Sequence, residues 1–537
     1  MPLSVQYTAL IDLILKFKKK RKGSFRVKAK VAKIVKKRKR KLQKRLARTS
    51  QPKQLGPVLN PGPIEYDVAE RNAGIVYGGI GAFQLMIKQL KLDEAINTRL
   101  NIFKLYNPYT ESDHVLNIAL NILCNGECLE DIERLRNDAV YLDAVGAARI
   151  PDPTTAGDFC RRFSSFQVEL LQDIINEVRL KIWALQEADF FNEALIDADG
   201  TIAETTGECK EGMDLSYKGT WGFGPLVVSL ANTGEPLYLV NRSGNSTSSK
   251  DAAKYLDRAA ALCRQGGFRK IRFRGDTDFS QTAYLDQWDA EAITFVFGIA
   301  AMPNLVNMAD TLPETAWKPL LRKPRYTVAT EPRRKPANVK EKIVKERGYK
   351  NIRLQSEQVA EFDYRPVKCK QAYRMVVVRK NLSVEKGEAV LFDEIRYFFY
   401  ITNDRTALRE EIVRHANDRC HQENLIEQLK NGVRAMRMPV DTLVSNWAYM
   451  VMAALAWNLK AWYALSLPTS GRWKQKHNRE KQQVLRMEFK KFRNLFVMLP
   501  CQIVKTGRRI VYRLLGWNEH IAILFRAIDS FRRPLRC

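Results

Sequence analysis

The 537-residue chain lacks the residue patterns of zinc sites, disulfide frameworks and hydrolase triads. It has five histidines and nine cysteines, and the cysteines are scattered singly apart from Cys124 and Cys128. No second pair completes a zinc site with these two, so we expect reduced thiols, as in the cytosol. The sequence shows no Ser-His-Asp set and no glycine-rich phosphate loop. We interpret His415 and His421 as ordinary polar positions.

Long uninterrupted apolar runs are also missing. Residues 5–15 are apolar but contain Asp12, and lysines follow them rather than precede them, which is the reverse of a signal peptide. The longest apolar stretch, residues 443–467, contains two asparagines and Lys460, which favours a buried helix over a membrane span. We therefore expect neither secretion nor a membrane partner.

Acidic residues are scarce at both ends of the chain. Residues 1–55 carry 20 Lys and Arg and one acid, and residues 468–537 carry 17 basic and four acidic residues. Residues 56–467 hold 52 basic and 54 acidic side chains, so the formal charge of +30 belongs to the two ends. A neutral body with cationic ends indicates a polyanionic partner; of the candidates DNA, RNA and anionic membrane surfaces, the nucleic acids remain because no membrane partner is expected.

Apolar periodicity divides the chain into segments of different character. Helical spacing dominates residues 69–190 and suits a helix-turn-helix reader of DNA, although any small helical bundle has the same pattern. Short strands, a crossover helix and further strands follow, which predicts a mixed α/β sheet. Near the C-terminus, residues 503–515 and 521–531 keep helical spacing. The predicted segments are a basic disordered tail and linker (1–68), a helical DNA-binding domain (69–190), the first part of the α/β domain (191–302), a basic β-rich insertion (303–405), the second part of the α/β domain (406–467) and a basic helical tail (468–537).

Three acids are candidates for a metal site. Asp199 lies in the first strand of the predicted α/β domain and Asp276 lies just past a later strand, where side chains can converge in one crevice. Four polar residues of a predicted helix form one stripe: Arg419, Glu423, Glu427 and Lys430. Two strand-end carboxylates and one on an adjacent helix suit a pair of Mg²⁺ ions for phosphoryl transfer. Turn or cap roles for the aspartates, and a solvated helix face, are the alternative interpretations.

These acids lie in stretches that resemble the motifs of the DDE transposases of bacterial insertion sequences. The stretch DGT at residues 199–201 resembles the first-acid motif, and RFRGDTDFS around Asp276 is similar to the second. The stretch RCHQENLIEQLK, residues 419–430, fits the last three positions of the signature Y-x2-R-x3-E-x6-K, with Ala416 where the family has tyrosine. The resemblance covers about residues 70–467.

The resemblance implies both a fold and an activity. The fold would be a ribonuclease H-like mixed sheet with flanking helices, interrupted by the β-rich insertion and preceded by the helical DNA-binding domain. Asp199, Asp276 and Glu423 would hold two Mg²⁺ ions, for which Mn²⁺ could substitute, while Arg419 and Lys430 contact phosphates. The implied activity is transposition: a homodimer on double-stranded DNA binds the terminal inverted repeats of its element, cuts the ends and joins them to target DNA. The location would be the cytoplasm, on the nucleoid.

Several residues have competing interpretations. Asp197, which alternation places on the same strand face as Asp199, is a rival metal ligand, and so are Asp278 and Glu427. In the basic insertion, Trp317 is interpreted either as a platform for a flipped base, as some relatives use, or as a buried core residue. The residues of the insertion predicted to contact DNA are Arg333, Arg334 and Lys340.

Two other functions fit the same residues. A repressor-like derivative would keep the fold and DNA binding without catalysis, and the alanine at position 416 leaves room for it. A structure-specific nuclease of the same fold would cut DNA without strand transfer. The presence of all three acids favours an enzyme.

Overall fold

The computed structural model describes most of the chain. The described residues are 29–47, 65, 73–103, 108–207, 209–321, 343, 346–347, 350–386, 389–506 and 509–534. The predicted DNA contacts Arg333, Arg334 and Lys340 lie outside these residues. Within the described ranges, no helix combines the length and apolar character needed to cross a membrane.

Helices lie before the large sheet, between its strands and after them. Several begin at side-chain caps, because such caps satisfy the free N–H groups of a first helical turn. The Asp152 carboxylate accepts the N–H of Thr155, and Ser164 forms a capping box with Gln167. The described helices are α1 (Ala29–Leu46), α2 (Ile80–Leu90), α3 (Leu92–Arg99), α4 (Glu111–Leu123), α5 (Ile132–Arg136), α6 (Ala139–Val145), α7 (Pro153–Arg161), α8 (Ser165–Trp183), α9 (Ala252–Gln265), α10 (Leu285–Ala290), α11 (Pro303–Asp310), α12 (Arg409–Asp418), α13 (His421–Glu427), α14 (Leu443–Leu465), α15 (Lys474–Leu485), α16 (Phe489–Phe496) and α17 (Ile521–Phe531).

Most of the described strands belong to one mixed sheet. They are β1 (Gly74–Ile75), β2 (Ala194–Gly200), β3 (Ala203–Glu204), β4 (Asp214–Leu215), β5 (Trp221–Phe223), β6 (Leu226–Leu230), β7 (Glu235–Val240), β8 (Ile271–Gly275), β9 (Ile293–Ile299), β10 (Lys318–Pro319), β11 (Lys350–Tyr364), β12 (Tyr373–Lys386), β13 (Ala389–Thr402), β14 (Cys501–Thr506) and β15 (Arg509–Leu514). The order across the large sheet is β10-β11-β12-β13-β9-β8-β2-β6-β7. β2 pairs in parallel with β8, and β8 with β9, whereas β6 and β7 pair antiparallel beside β2.

The two faces of β2 differ in chemistry. Ile196 and Ala198 are fully buried on the face covered by α9. Asp197 and Asp199 point to the other face, as strand alternation requires. That face is covered by α12, whose His415 carbonyl lies 3.5 Å from Nη1 of Arg274, the partner of Asp197. The acids therefore lie between the sheet and the helices that carry the third motif.

The insertion extends the central sheet rather than forming a separate one. β11, β12 and β13 are long antiparallel strands, and β13 continues the sheet by pairing with β9, with Phe399 opposite Ile299. Trp317 is buried, with the Arg379 guanidinium 4.3 Å from its ring centre and the Tyr397 ring beside it. This placement agrees with the interpretation of Trp317 as a core residue, because its ring is already stacked within the protein.

The third motif does not lie on one continuous helix, as its spacing predicted. Arg419 lies in the turn between α12 and α13, Glu423 lies on α13, and Lys430 lies in a π-helical turn at Gln428–Gly432. Ala416 packs against a small apolar cluster that includes Val296 and Ile412. The small side chain at this position therefore fits the contact between α12 and the sheet.

The helices of residues 69–190 share one hydrophobic core with the α/β region. α14 lies against α4, α8 and β7, and 21 of its 23 residues are buried. In the same contact region, the buried Arg179 of α8 pairs with Glu235 of β7 at 3.0 Å. A boundary at residue 190 thus does not separate two cores, because α8 and α14 contact each other and β7 within one buried apolar cluster.

Both chain ends depart from their predicted structures. Residues 503–515, predicted as helix, instead form part of the β14–β15 hairpin, which also pairs with β1; the prediction was wrong because a short run rich in valine and isoleucine fits either period. Residues 521–531 form α17 as predicted. In the segment predicted to be disordered, α1 is a helix. Its Arg38 donates a 2.7 Å hydrogen bond to the carbonyl of Leu514, and Lys39 lies over the Trp517 ring.

Candidate active site at the carboxyl ends of two parallel strands

Two of the predicted acids meet at one edge of the sheet. Asp199 is the penultimate residue of β2, and Asp276 directly follows β8. β2 and β8 are parallel neighbours, so their carboxyl ends lie side by side. The strand order also reverses here, because β6 and β7 lie on one side of β2 and β8 and β9 lie on the other. The Asp276 carboxylate also accepts the N–H of Asp278 at 3.0 Å, which holds the loop after β8 in a tight turn.

Arg419 connects these two acids. Its Nη1 atom lies 3.3 Å from Oδ2 of Asp199 and 3.8 Å from Oδ2 of Asp276. The three side chains are 17%, 14% and 33% exposed, respectively, so the cluster is half-buried and open on the Asp276 side. One nitrogen thus serves two carboxylates, which is a weaker arrangement than a bidentate pair.

Burial raises the pKa values of both aspartates. It raises the pKa of Asp199 to about 7; the Arg419 charge opposes this rise, whereas the charges of Asp276 and Glu423 add to it. Burial likewise raises the pKa of Asp276, again against the effect of Arg419. The cluster therefore holds carboxylates whose ionised form is disfavoured by burial and only partly stabilised by Arg419.

Glu423 lies beside this cluster on the exposed side of α13. Its charge contributes to the raised pKa of Asp199, which places it within electrostatic range of that carboxylate. The neighbouring Gln422 is buried, donates a 3.0 Å hydrogen bond to the carbonyl of Val227 and accepts one from the hydroxyl of Ser229. Sequence reasoning missed Gln422, whose contacts fix α13 against β6; its one signal was an uncharged polar residue next to the acid.

Asp197, the nearest rival, has a structural partner. Arg274 binds it with two hydrogen bonds, Nε to Oδ1 at 2.7 Å and Nη2 to Oδ2 at 2.8 Å, and both side chains are almost completely buried. A carboxylate with both oxygens engaged by a buried guanidinium has little free capacity for a metal ion. Asp197 therefore differs from Asp199, although the two share a strand face.

The other rivals and the motif lysine are placed differently. Asp278 and Glu427 are exposed, and Glu427 accepts a hydrogen bond from Asn431 at 2.7 Å. The Nζ atom of Lys430 donates a 2.7 Å hydrogen bond to the carbonyl of Ile202, just beyond β2, and burial lowers its pKa. Lys430 thus borders the same edge of the sheet as Asp199.

The donor set suits a hard divalent cation, because carboxylate oxygens are the ligands that Mg²⁺ prefers. Asp199 and Asp276 already converge on one cationic atom of Arg419. Among the described residues, no three His, Cys, Asp or Glu side chains are arranged as a ready metal cluster. Glu423 would therefore have to move toward the two aspartates to act as a third ligand.

A cleft of about 960 Å³ lies at the opposite edge of the sheet, lined by the starts of β8 and β9 and by residues 403–406. Its acids Glu193 and Asp404 are both bound by Arg272, at 2.9 and 3.2 Å. Its third acid, Asp289, accepts hydrogen bonds from Asn403 at 2.7 Å and Gln371 at 2.8 Å. We assign no chemistry to this cleft because these carboxylates are already paired.

Comparison with known proteins gives the family. Residues 77–533 match the family model described as transposase DDE domain group 1. The chain therefore belongs to the DDE transposases. Among solved structures, it is similar to a piggyBac transposase in a synaptic complex with hairpin DNA, at 10% sequence identity and a TM-score of 0.35, covering 78% of this chain and 79% of that chain. No curated protein sequence matches it.

Proposed function

We propose that this family member binds the ends of its own element and cuts and joins DNA at the site of Asp199, Asp276 and Glu423. One observation carries the proposal. Asp199 and Asp276, at the carboxyl ends of adjacent parallel strands, share a single arginine nitrogen and both have raised pKa values. Converging carboxylates with raised pKa values at an open sheet edge suit the binding of divalent metal ions.

The strand order supports a ribonuclease H-like catalytic domain. In that interpretation β2, β6 and β7 are the first three strands, and β8 and β9 are the fourth and fifth, in the spatial order β7-β6-β2-β8-β9. The insertion then follows the fifth strand, and the third-motif helices follow the insertion. We accordingly interpret the chain as a member of the Y-R-E-K type from a bacterial insertion sequence, with alanine in place of the tyrosine.

The side chains have separate roles in this proposal. Asp199, Asp276 and Glu423 would hold two Mg²⁺ ions, or Mn²⁺ in their place, and these ions would activate the attacking oxygen and stabilise the leaving oxygen. Arg419 and Lys430 would hold DNA phosphates at the same edge. Arg274 and Gln422 would position the acids, since one fixes β8 to β2 and the other fixes α13 to β6.

The basic chain ends would supply most of the phosphate contacts. α1 carries ten Lys and Arg and no acid, and it lies against the hairpin segment through Arg38 and Lys39. Phosphate contacts position a protein on DNA without reading the sequence. We therefore assign recognition of the inverted repeats to exposed faces of the helices between residues 80 and 183. A homodimer on DNA, located at the nucleoid, completes the proposal.

Cleavage and joining of an end-bearing duplex in Mg²⁺ would test the proposal. We expect Asp199→Asn, Asp276→Asn and Glu423→Gln each to lower the cleavage rate by at least about 1,000-fold, as loss of a metal ligand should. Binding to the same duplex, measured in Ca²⁺, should persist because the basic surfaces remain.

Glu427→Gln is the matched control, since it makes the same chemical change four residues away on an exposed position. It should cleave at the wild-type rate. Cleavage by the three site variants at the wild-type rate would refute the assignment. End binding without any cleavage by the wild-type protein would indicate a repressor-like derivative, and cleavage without joining would indicate a nuclease.

A further inference from the structure

Arg419 occupies the place between the two aspartates that a shared cation would take. A single nitrogen, Nη1, faces Oδ2 of Asp199 at 3.3 Å and Oδ2 of Asp276 at 3.8 Å. The residue lies in the turn between α12 and α13, outside the regular part of either helix. Its side chain is 17% exposed, so a path to solvent remains.

These contacts are looser than those of two arginines on β8, Arg272 and Arg274. Arg274 binds Asp197 through two nitrogens at 2.7 and 2.8 Å, and Arg272 binds Glu193 at 2.9 Å. Bidentate, short pairs are the strong ones, whereas one nitrogen shared at longer distances is a weaker contact. Arg419 is thus the most readily displaced of these three.

A metal ion and Arg419 would compete for the same oxygens. Mg²⁺ approaches its carboxylate ligands to about 2.0–2.1 Å, well inside the distances that Arg419 keeps. The Oδ2 atoms of Asp199 and Asp276 cannot keep their present contacts with Nη1 while both coordinate an ion between them. Displacement would free the guanidinium, which has five N–H donors suited to phosphate.

We infer that Arg419 is the resident counter-cation of the metal-free site and that a divalent ion binds by displacing it from Asp199 and Asp276. The inference rests on the proposed function, because it takes these two aspartates as metal ligands. Arg419 acts here as a positioning residue: it holds the two carboxylates together until the ion arrives. It then becomes available to a DNA phosphate at the same edge.

The inference predicts that the protein binds a metal ion more tightly when Arg419 is removed. Two ligands that exclude one another at a site each weaken the binding of the other by the same factor. Removing the arginine should therefore tighten metal binding, whereas a residue that merely supported the fold would, when removed, leave it unchanged or weaken it.

Mn²⁺ binding to the full-length protein without DNA, measured by electron paramagnetic resonance, tests this. We expect Arg419→Gln to bind Mn²⁺ at least about fivefold more tightly than the wild type, and Arg419→Lys to fall between them. Arg414→Gln is the matched control: Arg414 lies on α12, five residues before Arg419, and pairs with Glu411 on the surface. It should bind Mn²⁺ as the wild type does.

The outcomes separate the two levels of the proposal. Equal Mn²⁺ affinity for wild type, Arg419→Gln and Arg419→Lys would overturn the inference while leaving the metal site in place. Weaker binding by both Arg419 variants would also overturn it, because the arginine would then support the site instead of competing for it. No saturable Mn²⁺ binding by any of the proteins would overturn the proposed function and the inference with it.

Discussion

The two ends of β2 and β8 each carry an arginine between two carboxylates, yet the two clusters differ in how completely they are neutralised. At the amino end, Arg272 binds Glu193 at 2.9 Å and Asp404 at 3.2 Å. At the carboxyl end, Arg419 keeps 3.3 and 3.8 Å from Asp199 and Asp276. The same residue types thus form a satisfied structural cluster at one end and an incompletely neutralised cluster at the other.

Hydrogen bonding to the carboxylates explains the difference. Although burial acts to raise the pKa of Asp404, N–H groups of Ala407 and Thr406, the Thr406 hydroxyl and the Arg272 charge lower it to about 2. Burial raises the pKa of Asp199 to about 7; the Arg419 charge opposes this rise, whereas the charges of Asp276 and Glu423 add to it. The number of donors around each buried acid, more than the presence of an arginine, separates the two clusters.

The largest effect on stability is expected midway between the two ends, at the Asp197–Arg274 pair. Asp197→Asn leaves Arg274 buried without a counter-charge, which should lower the free energy of unfolding by about 3–5 kcal/mol. Urea denaturation measures this, with Asp199→Asn as the matched variant on the same strand face. Equal stability of the two variants would show that Asp197 is no more structural than Asp199.

An intermediate effect is expected at the amino end. Asp404→Asn should lower the free energy of unfolding by about 1–2 kcal/mol at neutral pH, because it removes a charge that several donors stabilise. The pKa of Asp404 is lowered on folding, so its contribution is present above about pH 4 and is lost as the pH falls toward 2.

Unfolding measured between pH 2 and pH 7 checks this prediction. The difference between wild type and Asp404→Asn should shrink steadily on acidification. A difference that stays constant over this range would mean that Asp404 acts through its shape and not its charge.

An effect of the opposite sign is expected at the carboxyl end. The pKa of Asp199 is raised on folding, so the metal-free wild type should lose stability as the pH rises from about 4 through 7. Asp199→Asn removes this loss and should be more stable than the wild type at pH 8. Thermal unfolding in a metal chelator measures it, and a variant less stable than wild type at pH 8 would contradict it.

The positions of the motif acids could be predicted from the sequence because the pattern that marks a strand end is local. An aspartate at the end of an apolar run lies at a strand end, and the structure places Asp199 and Asp276 there. Their catalytic roles, with that of Glu423, stay predictions. The break in the third-motif helix at Arg419 was not predicted, because residue spacing alone does not distinguish a continuous helix from two short ones.

Long-range pairing explains the other differences. The insertion strands β11–β13 were predicted as a separate unit, yet β13 pairs with β9 and so joins the central sheet. The β14–β15 hairpin was predicted as helix, yet it completes a small sheet with β1 more than 400 residues earlier in the chain. Neither partner is visible in the local pattern, because sheet edges are created by strands far away in sequence.

The sequence by itself determined the separation of charge, with basic ends and a neutral body, and the order of three acids along the chain. Only the tertiary structure decided which acid at the first strand is left underpaired. Asp197 and Asp199 are two residues apart on one face, but Arg274 reaches the first and leaves the second to Arg419. The physical reason is that desolvation and ion pairing depend on neighbours that folding brings together, and those neighbours lie 77 and 220 residues away.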